Sequence, residues 1–133
     1  MTTGYSGTPL AKKLSLKPGQ TAWFHAMPEP VHVELAEAGV TELPGPVKGL
    51  DVAHIFTTQR VDLEHLLTEL RHTIASDGFV WVSWPKKASK VPTDITEDTI
   101  REVCLPLGFV DVKVCAVDQT WSGLKLMIRK ELR

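Results

Sequence analysis

Two nearly unbroken apolar runs on either side of an amphipathic helix constrain this chain more than any other feature. Asp51 to Thr58 (DVAHIFTT) and Phe79 to Trp84 (FVWVSW) show almost no alternation of polar and apolar residues. Such runs suit strands covered on both faces, as in parallel sheets. Between them, Val61 to Ala75 carries Leu63, Leu66, Leu67, Leu70 and Ile74 at spacings of three and four, one continuous apolar stripe. Strand, helix and strand in that order imply a right-handed crossover and a parallel sheet with helices packed on it.

The remaining segments extend this order. Pro9 to Leu14 reads as a short helix, stopped by the turn residues Lys17-Pro18-Gly19. Thr21 to Ala26 is apolar and aromatic enough for a first strand. Pro28 to Gly39 holds a weak helical pattern around Val33, Leu35 and Ala36, Val40 to Leu43 reads as a short strand, and Leu43-Pro44-Gly45-Pro46 is a firm break. After Ser76-Asp77-Gly78 and the second apolar run comes a polar loop, Pro85 to Thr93. A helix is predicted from about Thr96 to Leu105, with Asp94 and Thr96 as competing caps; Asp94 and Glu97 have capping-box spacing. Val110 to Val117 and Leu124 to Arg129 close the chain as a hairpin joined by Asp118 to Gly123. The predicted fold is α/β: a small Rossmann-like three-layer sandwich, one domain over 1–133, mostly parallel with a C-terminal antiparallel β-hairpin. Residues 1–8 are expected to form an arm.

A closing hairpin is less generic than the rest. Together with Leu14-Ser15-Leu16-Lys17-Pro18-Gly19 before the first strand, it resembles class I S-adenosylmethionine-dependent methyltransferases, in which the last strand inserts antiparallel into the sheet. The blocks GYSGTPLAKKL, WVSWPKK and KVCAVDQTWSGLKL resemble a bacterial family of domains of unknown function whose members are often labelled methyltransferase-like. The resemblance implies a glycine-rich loop directly after strand one, where the cofactor lies against bare backbone. Here that segment is Ala26-Met27-Pro28-Glu29-Pro30-Val31-His32, with no glycine, a negative charge and two prolines that remove N–H donors. The expectation is therefore of no cofactor, with S-adenosylmethionine as the alternative. The matching function is a non-catalytic or small-molecule- or anion-binding module. Its rival is an S-adenosylmethionine-dependent methyltransferase with an atypical cofactor loop.

Ligands of open α/β sheets sit beyond the carboxyl ends of the strands. That rule gathers Met27, Thr57, Thr58, Trp84, Lys86, Lys87, Asp118, Trp121 and Ser122 on one rim, with Asp94 nearby as a ligand candidate or, more simply, a helix cap. Aromatic faces, ammonium groups and hydroxyls there suit a planar or anionic small molecule. The plainer reading is a solvated lysine loop, with Trp84 and Trp121 filling core corners. His25 and His54 fall in strands, as core histidines by default, with His25 a general-base candidate at a strand end. His65 and His72 are two helical turns apart, about 10 Å, too far for one metal ion unaided.

Fifteen Lys and Arg residues against sixteen Asp and Glu leave a net charge of -1, so no global field favours nucleic acid. The basic clusters, Lys12-Lys13 with Lys17 and Lys86-Lys87 with Lys90, are not interleaved with aromatics, which makes nucleic-acid binding unlikely as an expectation. Cys104 and Cys115 form no CxxC pair and read as small core residues of a cytoplasmic protein. No segment approaches the roughly 20 apolar residues of a membrane span. Alternation in Val110, Val112 and Val114 against Asp111 and Lys113 suits a sheet edge, wet on one face or shared across a homodimer.

Overall fold

The computed structural model describes residues 8–133, so the expected arm lies outside the described residues except for Thr8. The elements are α1 (Leu10–Lys13), β1 (Thr21–His25), α2 (Glu29–Glu34), β2 (Thr41–Glu42), β3 (Leu50–Phe56), α3 (Arg60–Thr73), β4 (Ile74–Pro85), α4 (Glu97–Leu107), β5 (Phe109–Ala116) and β6 (Trp121–Ile128). They build a six-stranded sheet of order β2-β1-β3-β4-β6-β5. The pairs β1–β2, β1–β3 and β3–β4 are parallel, and β6 runs antiparallel between β4 and β5. The architecture is the Rossmann-like sandwich with a closing hairpin that the element order implies. Among the described residues, no helix is long and apolar enough to cross a membrane.

The unbroken apolar runs are explained by two cores, one on each face. Leu63, Leu67 and Leu70 of α3 and Ile100, Val103 and Cys104 of α4 pack on Ala53, Ile55, Val80, Val82, Leu124 and Leu126. On the other face, Leu10, Leu14, Val31 and Leu35 cover Val52, Phe56, Phe79 and Trp81. Fully burying one such aliphatic side chain stabilises the fold by roughly 1.5–3 kcal/mol. Trp81 is fully enclosed and its indole Nε1 donates to the Leu14 carbonyl at 2.9 Å, which ties α1 to the sheet.

The largest departures from the sequence reading lie at the start of β4 and the start of β6. The helix ends at Thr73, and β4 begins at Ile74, well before Phe79. Ser76-Asp77-Gly78 is thus part of a strand with an irregular register opposite Leu50 to Val52. Gly78 is needed there for close approach, since a Cβ would lie 2.7 Å from the Asp51 carbonyl oxygen. At the other end, β6 starts at Trp121, because Asp118 Oδ1 accepts the amides of Thr120 and Trp121, both at 2.8 Å, and tightens the hairpin.

Candidate functional site at the carboxyl edge

After β1 the chain turns outward to β2, whereas β3 lies on β1's other side, so strand order reverses between β1 and β3. The carboxyl ends of those two strands flank the crevice where such sheets bind ligands. His25 ends β1 half-buried, its ring 5.4 Å from that of Trp23. Ala26 follows, exposed, at φ +55°. A residue with a Cβ is uncommon in this left-handed conformation, which glycine adopts freely. One residue after β1 thus takes the left-handed conformation for which glycine is the usual choice. Pro28 then precedes α2, and Pro30 occupies its first turn, where a missing N–H costs little.

Sequence reasoning missed Glu42. It ends β2, sixteen residues after Ala26, and its carboxylate meets His32 Nε2 of α2 at 2.6 Å. That contact draws an acidic group toward the helix that follows the β1 turn. The hydrogen bond to Glu42 holds the exposed His32 imidazole above its ordinary pKa. An acidic residue about 20 positions beyond the first turn, at the end of the second strand, is the usual ribose-hydroxyl acceptor of dinucleotide folds. Counting from Ala26 would have pointed to it.

The residues expected to share one rim divide into two structural groups. In the first, Thr57 is buried with its Oγ1 beside the Gln59 backbone, and the Thr58 carbonyl accepts from Thr93 Oγ1 at 2.7 Å and the Asp94 amide at 3.3 Å. Asp94 Oδ1 accepts the Arg60 amide at 2.7 Å, so it caps α3 across the loop. The cap of α4 is Thr96, in a reciprocal box with Thr99. In the second group, Lys86 Nζ donates to the Asp118 carbonyl at 2.6 Å, and its amide donates to Thr120. Lys86 therefore braces the hairpin, while Lys87 stays exposed in a one-turn 3₁₀ helix.

Trp84 and Trp121 do not share a surface. The antiparallel register sets Trp84 opposite Ser122 and Pro85 opposite Trp121, which places the two indoles on opposite faces. Trp84 joins the α3–α4 core. Trp121, half-buried, meets the Phe56 ring edge-on at 5.1 Å, and with half-buried Met27 it borders the α1–α2 core. Half-buried Met27 and Trp121, over the buried Phe56, thus supply an apolar surface on the α1–α2 side.

His54 is a core residue. It is 1% exposed, stacks on Phe56 at 4.5 Å and shares a 2.7 Å hydrogen bond with Ser83 Oγ; burial lowers its pKa to about 3. Cys104 and Cys115 are buried free thiols, and burial pushes Cys104 up to about 11. His65 and His72 lie along a shallow groove on α3, and no group of three metal-binding side chains forms among the described residues.

No family model and no curated relative matches this chain. Solved structures do match. An S-adenosylmethionine-dependent methyltransferase from Aquifex aeolicus superposes with a TM-score of 0.68 at 14% identity, covering 90% of this chain and 88% of that one. A TehB-like S-adenosylmethionine-dependent methyltransferase from Corynebacterium glutamicum gives 0.57 at 9% identity, over 95% and 90% of the chains. Fibrillarin from Aeropyrum pernix, solved with natively bound S-adenosyl-L-methionine, gives 0.55 at 10% identity, over 90% and 69%. The chain therefore has the fold of class I S-adenosylmethionine-dependent methyltransferases. The expectation of no cofactor is corrected by these neighbours, one of them solved with the cofactor in place. The turn after β1 has no glycine, but Ala26 takes the left-handed conformation that glycine adopts most freely.

Proposed function

We propose that this chain binds S-adenosylmethionine at the edge between β1 and β3 and is a methyltransferase with an atypical cofactor loop. The observation that carries this reading is Ala26 at φ +55° directly after β1, at the reversal of strand order. Glu42 of β2, beside Ala22 and in contact with α2, would accept ribose hydroxyls, and half-buried Met27 and Trp121 would offer apolar surface to a planar group. Bound there, the cofactor would supply an electrophilic methyl group on a positively charged sulfur. His25, half-buried at the end of β1, would take the proton released by a methyl acceptor. Cytoplasmic residence, in keeping with two free buried thiols, belongs to the same proposal.

Titration calorimetry with S-adenosylmethionine and S-adenosylhomocysteine tests the reading. Binding of either, weakened at least tenfold by Glu42→Ala, is expected; failure of both at millimolar concentration overturns it. A second reading, binding without methyl transfer, draws on the two prolines that take amide donors from the loop. Cofactor binding with no loss of methyl groups to any acceptor would favour it.

A further inference from the structure

The fold brings together lysines that lie far apart in sequence. Lys13 Nζ reaches the Ala116 carbonyl at 3.1 Å, and Lys113 Nζ reaches the Lys13 carbonyl at 3.4 Å. Lys125, paired with Lys113 across β5 and β6, hydrogen-bonds Ser15 Oγ at 3.2 Å and lies 4.4 Å from the Phe79 ring centroid. Lys17 lies in the turn that holds Ser15, where Gln20 accepts the Lys17 amide at 2.8 Å and donates to the Ser15 carbonyl at 3.4 Å. Burial, Lys113 and Lys17 together push the Lys125 ammonium below its ordinary pKa. Three ammonium groups thus meet on the α1 side of the β5–β6 hairpin, with Lys17 exposed in the adjoining turn. Among the described residues every ion pair uses Arg or His, and no lysine lies within 4.0 Å of a carboxylate.

We propose that this lysine surface, Lys13, Lys17, Lys113 and Lys125, docks the phosphodiester backbone of a nucleic acid. Gathering like charges is unfavourable unless something answers them, and the chain supplies no carboxylate here. Lysine presents point charges on flexible stems, which suits repeated phosphates in variable register. Protein–protein interfaces, by contrast, are depleted in lysine. The surface reaches the carboxyl edge of the sheet at Ala116, beside the hairpin that Lys86 braces. Net charge argued against nucleic acid at the level of sequence, but a field is set by where charges lie. The proposal stands whether or not the chain binds a methyl donor.

Fluorescence anisotropy on the full chain, with labelled single-stranded RNA and DNA of one sequence, tests it. Binding is expected at about 50 mM salt and should weaken steeply toward about 200 mM. Lys17→Ala and Lys113→Ala, both at exposed positions, should each weaken binding severalfold and lower the salt slope by about 1. Lys48→Ala and Lys130→Ala should leave affinity unchanged, and thermal melts should show all four variants folded. A preference between RNA and DNA would identify the source of the backbone, and equal binding would support both. The proposal is overturned by no binding at low salt, by binding that survives both exposed substitutions, or by equal loss in the Lys48 and Lys130 variants. It is likewise overturned if polyglutamate competes as well as the oligonucleotide, or if millimolar inorganic phosphate displaces it.

Discussion

At Ala26 the chain holds a methyl group where the backbone favours none. The left-handed conformation at φ +55° costs an L-residue roughly 1–2 kcal/mol, part of which glycine would return as unfolded-chain entropy. Ala26→Gly should therefore raise stability by up to about 1 kcal/mol, read as a higher melting temperature, without weakening the proposed S-adenosylmethionine binding. A lower melting temperature would show that the Cβ makes a contact worth more than the strain. His54 sets a second residue-scale property. Unfolded, histidine titrates near 6.5; folded, this one titrates at about 3 because burial penalises its charged form. The unfolded chain thus takes up a proton that the native chain refuses. The stability it confers is complete above about pH 6.5 and declines as pH falls toward 3, by a total on the order of 4 kcal/mol. Urea unfolding at several pH values should show a shallower decline for His54→Gln than for the native chain, and parallel curves would refute the assignment.

Elements owe their ends to partners far away in sequence, which decides what could be read in advance. The stripe Leu63, Leu67 and Leu70 and the run from Val52 to Phe56 announce their structure locally, through period and length. Ala26 does not, since only its φ distinguishes it from any alanine. Nor does Asp94, whose spacing to Glu97 suggests a cap for α4 while its carboxylate caps α3. The faces of Trp84 and Trp121 depend on hairpin register, and one residue of slip would reverse them. Helix capping gives a direct check. Asp94→Ala should cost about 1 kcal/mol in urea unfolding and leave cofactor affinity unchanged, because its partner is a helix amide. Lost affinity at full stability would restore Asp94 to the site.

For the whole molecule, the longer of the two sheet edges is β5, and it carries its own protection. Val112 and Val114 are about half exposed, but the register shifts between Asp111 and Lys113, and Lys113 adds a charge. Bulges and lysines discourage edge-to-edge pairing. Sedimentation is expected to show a monomer for the native chain and self-association for Lys113→Val; a native dimer would mean that the edge is shared after all. Charge is distributed as unevenly as the edges. Helices α3 and α4 carry six carboxylates against three guanidiniums on one side of the sheet, while the lysines gather on the other side at the hairpin. A molecule with almost no net charge consequently has an electric dipole across its thickness near the hairpin, moderated by Glu29 and Glu34 of α2 on the lysine side. A polyanion at a distance would exert little pull on such a body but considerable torque. Rotation before contact would turn the lysine side forward, so orientation more than attraction would set how often an encounter succeeds.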